Sequence, residues 1–289
     1  VKGEPMLKKL SFLLLFALCI PVFAQAATID FPYYQGWVTT DGGTTINDGY
    51  WIQTNEFGHL NPASGWSGYY YDDSNGSAHA IRLLNNGALA KIHWYYDGSL
   101  VTPAWVLDDA ELFRVNENTI TYYGVYDFED TAEYLLDNPI RFSRKWKEGQ
   151  NCSFDATIGA ITIHESITFL RKGLTVPAVT IPGVSDLTNC ALMQICVTTP
   201  YEKEVALETW APGKGEIWEF CYDDENGTEV STCVNDKVDA WGTGSYPDFM
   251  NSNINTAVST LNSLTLSDDN VTSVRLTGGN RVVVIPLNN

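Results

Sequence analysis

Histidine is the side chain best suited to move a proton near neutral pH, and this chain carries it at His59, His79, His93 and His164. None stands in the H-E-x-x-H frame of a helical zinc site, because Glu165 follows His164 but the second histidine is missing. His79 and His93 can meet in space if their strands pair, and the expectation for them is a hydrogen-bonded structural role. Gly65-Trp66-Ser67-Gly68 approaches a serine-hydrolase elbow, yet its second glycine comes one residue early, so it reads as an aromatic turn. With 35 Asp and Glu in the chain, a carboxylate pair at glycosidase spacing can be nominated anywhere and so nominates nothing.

Metal and cofactor signals are equally thin. Asp72-Asp73-Ser74-Asn75-Gly76 and Asp223-Asp224-Glu225-Asn226-Gly227 place oxygen ligands before a glycine. The first ligand position of a calcium loop would fall on Tyr71 and Tyr222, however, so both read as β-turns and no metal is expected. Gly213-Lys214-Gly215 is too short to cradle a phosphate, and no cofactor is expected.

Cysteine chemistry depends on the compartment, and the N-terminus points outside the cytoplasm. Met6 is followed by Lys8 and Lys9, then by an apolar run over residues 10–23, and Ala24-Gln25-Ala26 supplies the small residues a signal peptidase needs. Residues 1–26 are read as a signal peptide cut before Ala27, with residues 1–5 an upstream start. The apolar run is too short and too quickly followed by a cleavage site for a membrane span. The expected location is the periplasm or the cell exterior, where disulfides persist. Losing Lys2, Glu4, Lys8 and Lys9 takes the net charge from −18 to −20. A nucleic-acid partner needs a positive footprint, so that charge excludes one.

Five cysteines remain: Cys152, Cys190, Cys196, Cys221 and Cys233. Cys221 and Cys233 flank the Asn226-Gly227 reversal, so antiparallel strands bring them opposite one another and a disulfide is expected there. Cys190 and Cys196 cannot pair if the chain between them is extended, since their Cα atoms would stand ~20 Å apart at ~3.3 Å per residue against the ~7 Å a disulfide spans. That leaves Cys152 as the partner expected for one of them.

The elements that must position these groups are strands. Over residues 161–170, Ile161, Ile163, Ile167 and Phe169 share one face and Thr162, His164, Ser166 and Thr168 the other. Glu165 falls on the apolar face and needs a partner. Similar runs occupy residues 91–96, 119–126, 191–198, 205–210, 216–222, 271–276 and 281–286, bounded by Gly, Asn, Asp and Pro. Turns are expected at 212–215, 223–228 and 278–280. Residues 248–264 have the best helical face and residues 127–136 suggest a second short helix. The fold class is therefore mainly β: an antiparallel barrel or sandwich over residues 27–235, with a small C-terminal extension over 236–289 holding a short helix and a β-hairpin.

Aromatic density is the remaining feature. Adjacent strand residues point to opposite faces, so runs such as Trp94-Tyr95-Tyr96 cannot all be buried on one side of a sheet. Trp37, Trp66, Tyr70, Trp94, Tyr96 and Tyr123 are the candidate ligand-binding residues, suited to a glycan, an amphipathic small molecule or a protein partner.

Thr175-Val176-Pro177-Ala178-Val179-Thr180-Ile181, then Asn189-Cys190, then Glu208-Thr209-Trp210-Ala211-Pro212-Gly213-Lys214-Gly215 resembles a pattern in poorly characterised exported bacterial β-rich proteins. There a T-V-P-A-G-T-F stretch leads to a cysteine and then to a W/Y-x-A-P-G-x-G hairpin; here Val179 replaces the glycine. The resemblance implies an exported β fold and no catalytic residue. The functional expectation is an exported, non-catalytic binding or carrier protein of the bacterial cell envelope. A structural or assembly protein acting through protein contacts ranks second and an exported hydrolase third.

Overall fold

Period-two alternation commits the chain to extended segments, and short polar turns fold successive segments back on one another. A computed structural model describes the backbone of residues 28–30, 50–56, 76–97, 100, 104–116, 118–176, 186–201, 203–212, 215–223, 234–243 and 246–278. Side chains are described for these residues except 28–30, 50–56, 76, 218–223 and 234–243. The strands are β1 (Thr28–Asp30), β2 (Tyr50–Glu56), β3 (Gly76–Leu83), β4 (Leu89–Asp97), β5 (Ala104–Val115), β6 (Thr119–Asp127), β7 (Ala132–Ser143), β8 (Lys145–Lys147), β9 (Gln150–Ile158), β10 (Ile161–Val176), β11 (Leu187–Thr198), β12 (Lys203–Ala211), β13 (Gly215–Asp223), β14 (Val234–Thr243), β15 (Thr272–Ser273) and β16 (Thr277–Gly278). Two short helices, α1 (Asp248–Asn251) and α2 (Ile254–Leu261), lie between β14 and β15.

The fold is mainly β. Two up-and-down meanders, β2 to β7 and β9 to β14, join edge to edge where β14 pairs with β2, giving one sheet in the order β15-β7-β6-β5-β4-β3-β2-β14-β13-β12-β11-β10-β9-β16. Its pairings are antiparallel except for β15 with β7. A separate small ladder joins β1 to β8. The two meanders share one apolar face: Ile81, Leu89, Phe113, Ile140 and Phe142 of the first lie in the same cluster as Ile163, Ile167, Phe169, Met193 and Ile195 of the second. The sheet therefore curls so that this face becomes an interior. Residues 272–278 then bond to the last long strand at each end, Thr272 and Ser273 beside Ile140 and Arg141 of β7, Thr277 and Gly278 beside Asn151 and Gln150 of β9.

The outward faces differ between the meanders. On β3 to β6 the outer side chains are apolar, including Ala80, Ala90, Ile92, Trp94, Ala110 and Leu112, and Met250, Ile254, Ala257 and Leu261 of the helices cover them. On β9 and β10 the outer row is polar, with Ser153, Asp155, Thr157, Thr162, His164, Ser166 and Thr168 opposite the buried Ile163, Ile167 and Phe169. That is the reverse of the apolar band a lipid-facing strand carries. No helix among the described residues is long and apolar enough to cross a membrane.

Several local expectations differ from the structure. Residue 235, where the sequence places the start of the C-terminal extension, lies within β14, which pairs with β13 and β2. Charged Asp236, Lys237 and Asp239 disguise that strand as a loop. Residues 127–136 are not helical: Asp127 Oδ1 accepts hydrogen bonds from the amides of Glu129 and Asp130, at 2.8 and 2.9 Å, a side-chain-locked turn that delivers the chain straight into β7. The helix expected over 248–264 breaks at Ser252 and Asn253. Ser252 Oγ donates to the carbonyl of Phe249, and Asn253 at φ −135° leaves the helical region. The strand expected over 271–276 shortens to Thr272–Ser273, and that at 281–286 lies outside the described residues.

Gly124 marks where β6 and β7 crowd one another. It sits at a register shift with φ +120°, and a Cβ there would come within 2.3 Å of the Tyr134 carbonyl oxygen. Gly87, at φ +80° in the β3–β4 turn, has nothing within 4 Å of its missing Cβ. Gly124→Ala is expected to destabilise by about 3 kcal/mol or more, from strain and overpacking together. Gly87→Ala is expected to cost only about 1 kcal/mol, and urea unfolding of the two variants reads the difference.

Candidate functional site

Charged side chains gather where the curled sheet should be driest. Lys91 of β4, Glu111 of β5 and Glu216 of β13 meet inside, with Lys91 Nζ 3.4 Å from Glu111 Oε2 and 3.1 Å from Glu216 Oε2. Glu111 stands directly opposite Lys91 in the β4–β5 ladder, so their contact follows from register. Glu216 does not: β3, β2 and β14 separate its strand from β4 in the sheet order. Its contact with Lys91 therefore crosses the interior.

Register places further groups beside this triad. His79 and His93 are direct partners on β3 and β4, with ring centroids 5.8 Å apart. Asp109 Oδ1 lies 3.4 Å from His93 Nδ1. Tyr122 follows on β6, and Glu165 comes from β10 on the opposite wall. The Glu165 carboxyl feels Glu111, while Tyr122 and Cys152 both feel Glu165, so the walls are in electrostatic contact.

Burial sets the protonation states. Both imidazoles are held well below their ordinary 6.5, by burial first and by the Lys91 ammonium second, so they are neutral at physiological pH. Glu165 is pushed well above the usual carboxyl range by burial and then by Glu111. Glu111 is also raised, because burial outweighs the Lys91 charge beside it. Tyr122 is raised by burial and by the surrounding carboxylates. Glu165 Oε1 and His79 Nε2 are among the buried atoms with no hydrogen-bond partner among the described residues. Each residue is only 8% exposed, and an unmet polar atom at that depth costs about 1–3 kcal/mol.

A search against known protein families, curated proteins and solved structures finds no match to this chain. Its chemistry must be read from the site. The Lys91 ammonium already donates to two carboxylates, which disfavours an amine nucleophile. The histidines are neutral and burial favours the protonated form of the Glu165 carboxyl, a set suited to hydrogen-bond recognition. Among the described residues, no group of three or more His, Cys, Asp or Glu side chains is placed to hold a metal ion.

The aromatic candidates lie elsewhere. Trp94, Tyr96 and Tyr123 are buried on the outer side of the first meander. Trp94 Nε1 donates to Asn253 Oδ1 at 2.9 Å and its ring meets Phe249 edge-on. Tyr96 packs edge-on against Trp105, which stacks on Phe249 at 4.5 Å. The Tyr123 hydroxyl donates to Asp268, and its ring lines a pocket of about 210 Å³ between β7 and the segment after α2. Trp94, and Tyr96 through Trp105, tie α1 to the sheet, and Tyr123 ties down the segment after α2. Trp37, Trp66, Tyr70 and Cys233 lie outside the described residues, as does the side chain of Cys221.

His164 and Glu165 point to opposite sides of β10. His164 is exposed and hydrogen-bonded to Asp155, on the rim of an open groove of about 380 Å³ with Ser153, Ser166, Cys196 and Thr198. Cys152, Cys190 and Cys196 are free thiols, and no bridge joins Cys152 to either of the others. Burial pushes Cys152 up to about 12 and Cys190 up to about 11, which leaves them unreactive.

Sequence reasoning found the His79–His93 meeting and the misplaced Glu165 but missed Lys91, Glu111, Asp109 and Glu216. A signal existed: Lys91 alternates with Ala90 and Ile92, and Glu111 with Ala110 and Leu112, so a charge on each strand faces away from one apolar row. Nothing local shows that a second packed layer waits on the other side.

The histidines contribute stability that is present above their unfolded value and lost as pH falls below it. Replacing both by Gln should improve stability relative to the parent, by about 1.4 kcal/mol per histidine for each pH unit below ~6.5. Glu165 has the opposite sign, its penalty growing as pH rises above the unfolded carboxyl value. Glu165→Gln should therefore melt higher than the parent at pH 8, with the gap closing towards pH 4. Melting temperature against pH reads both.

Proposed function

We propose that this is an exported, non-catalytic binding or carrier protein of the bacterial cell envelope, whose sheet closes as a barrel around a small polar ligand. The observation that carries the reading is the unmet pair of buried polar atoms, Glu165 Oε1 and His79 Nε2, within an ionisable cluster on the interior walls. A protein that needed only stability would fill such a position with Leu or Val, which is neutral or better than a buried charge network. Retained polar groups with unused hydrogen-bonding capacity are what a ligand site looks like before its ligand arrives.

Closure is supported by the 272–278 run. It carries the ladder from β7 to β9, with Val274 N bonded to the Arg141 carbonyl at 2.8 Å and Thr277 Oγ1 to Asn151 Oδ1 at 2.6 Å. Val274 and Leu276 pack against the interior cluster as they pass. A closed sheet has no free edge to recruit another chain, which favours a ligand inside over an assembly role. Export rests on the charged and apolar leader read from residues 6–26 and on the resemblance to exported β-rich proteins.

Native mass spectrometry of the protein purified from its own host tests this reading. The expected spectrum shows a mass excess over the polypeptide that is released on denaturation, together with an N-terminus at Ala27. A bare polypeptide mass, with nothing released, would contradict it.

A further inference from the structure

The interior cluster has a polarity of its own, and it narrows the ligand. Around this cluster Lys91 is the cation, set against Glu111, Glu165 and Glu216, with Asp109 beside His93; the buried Arg144 guanidinium is bonded to the Asn116 carbonyl instead. Lys91 is already committed to Glu111 and Glu216, whereas Glu165 has no cation. Its cross-strand neighbours on the same face are Phe154 of β9 and Val197 of β11, and Ile163 and Ile167 flank it along β10. The titratable groups that face it are Glu111 from β5, Tyr122 from β6 and Cys152 from β9. None of these supplies a positive charge. A carboxyl walled by apolar side chains, confronted by a second carboxyl and holding an unpartnered oxygen, lacks a counter-ion. An anionic ligand would find no cation beside Glu165 to receive its charge.

We infer that the interior site takes a small organic cation, a primary or secondary ammonium compound, with Glu165 as the carboxylate that receives its charge. Neutral His79, with Nε2 free among the described residues, offers a second acceptor for the ligand's N–H groups. The protons balance simply. Burial and Glu111 favour the carboxylic acid in the empty site and an ammonium partner favours the carboxylate, so binding releases proton to the buffer, up to one per ligand. This inference rests on the binding-protein reading above and can fail while that reading stands.

Isothermal titration calorimetry of the full mature chain with diaminobutane, in two buffers of different ionisation enthalpy, tests it, with butanediol and butyrate as neutral and anionic controls of matched size. The expected result is binding of the diamine alone, with a net release of proton of up to one per ligand. Glu165→Gln should weaken that binding by about tenfold or more and abolish the proton release, while its melting curve shows that the fold is intact. His164→Gln, on the outer side of the same strand, should change neither. Diamine binding that equals butanediol binding, or that survives Glu165→Gln with no proton released, would overturn the inference. A neutral or anionic molecule retained in the native mass spectrum would overturn the cation while sustaining the binding reading.

Discussion

Enclosing an ammonium between carboxylates is costly, and the enclosure of Lys91 is the constraint to which the rest of the molecule answers. Each buried ion loses several kcal/mol of hydration, recovered only where partners are close and fixed. Lys91 therefore requires Glu111 at its own ladder position and Glu216 on a strand from the far side of the sheet order. That second contact exists only if the two meanders curl towards one another. One ion pair thus reports the long-range geometry of the sheet, as the shared apolar cluster does independently through Ile81 and Ile167.

The two faces of the first meander divide the work. Its outer side is a dry layer in which Trp94, Tyr123 and Leu112 pack on Met250, Ile254 and Leu261. The inner side of the same strands carries His79, Lys91, His93, Asp109 and Glu111. A sheet held rigid from outside can keep an interior polar network in register without relying on that network for its stability. The chain after α2 extends the arrangement: Asp268 meets Arg114, Arg141 and the Tyr123 hydroxyl on the outer surface, and residues 272–278 then reach both β7 and β9. The C-terminal region acts first as cover and then as seam.

Much of the strand grammar is legible from the residues. The alternation over 161–170 marks the face that buries Ile163 and Ile167, and the same alternation singles out Glu165 as a charge on an apolar row. That His79 and His93 can meet is also visible, but the strand β3 and the Asn85-Asn86-Gly87 turn that bring them together are not among the elements the sequence marks. Glu216 illustrates what local pattern cannot supply. It sits beside a turn glycine, where an acidic residue normally means solvent, and its partner is 125 positions away. Charge-rich β14 is hidden for a related reason, since Asp236 and Lys237 look like loop residues until the strands on either side are known. Trp94, Tyr96 and Tyr123 stand out in the sequence for their size, which serves packing under helices whose docking face no local pattern reveals.

Lys91 and Glu216 hold each other across the interior of one curled sheet. A double-mutant cycle on Lys91→Met and Glu216→Gln, read by urea unfolding at pH 7, measures that interaction directly. The expected coupling energy is about 1.5 kcal/mol or more, as for close charge pairs out of water. Single effects that add to within about 0.5 kcal/mol, as they do for distant independent sites, would contradict it.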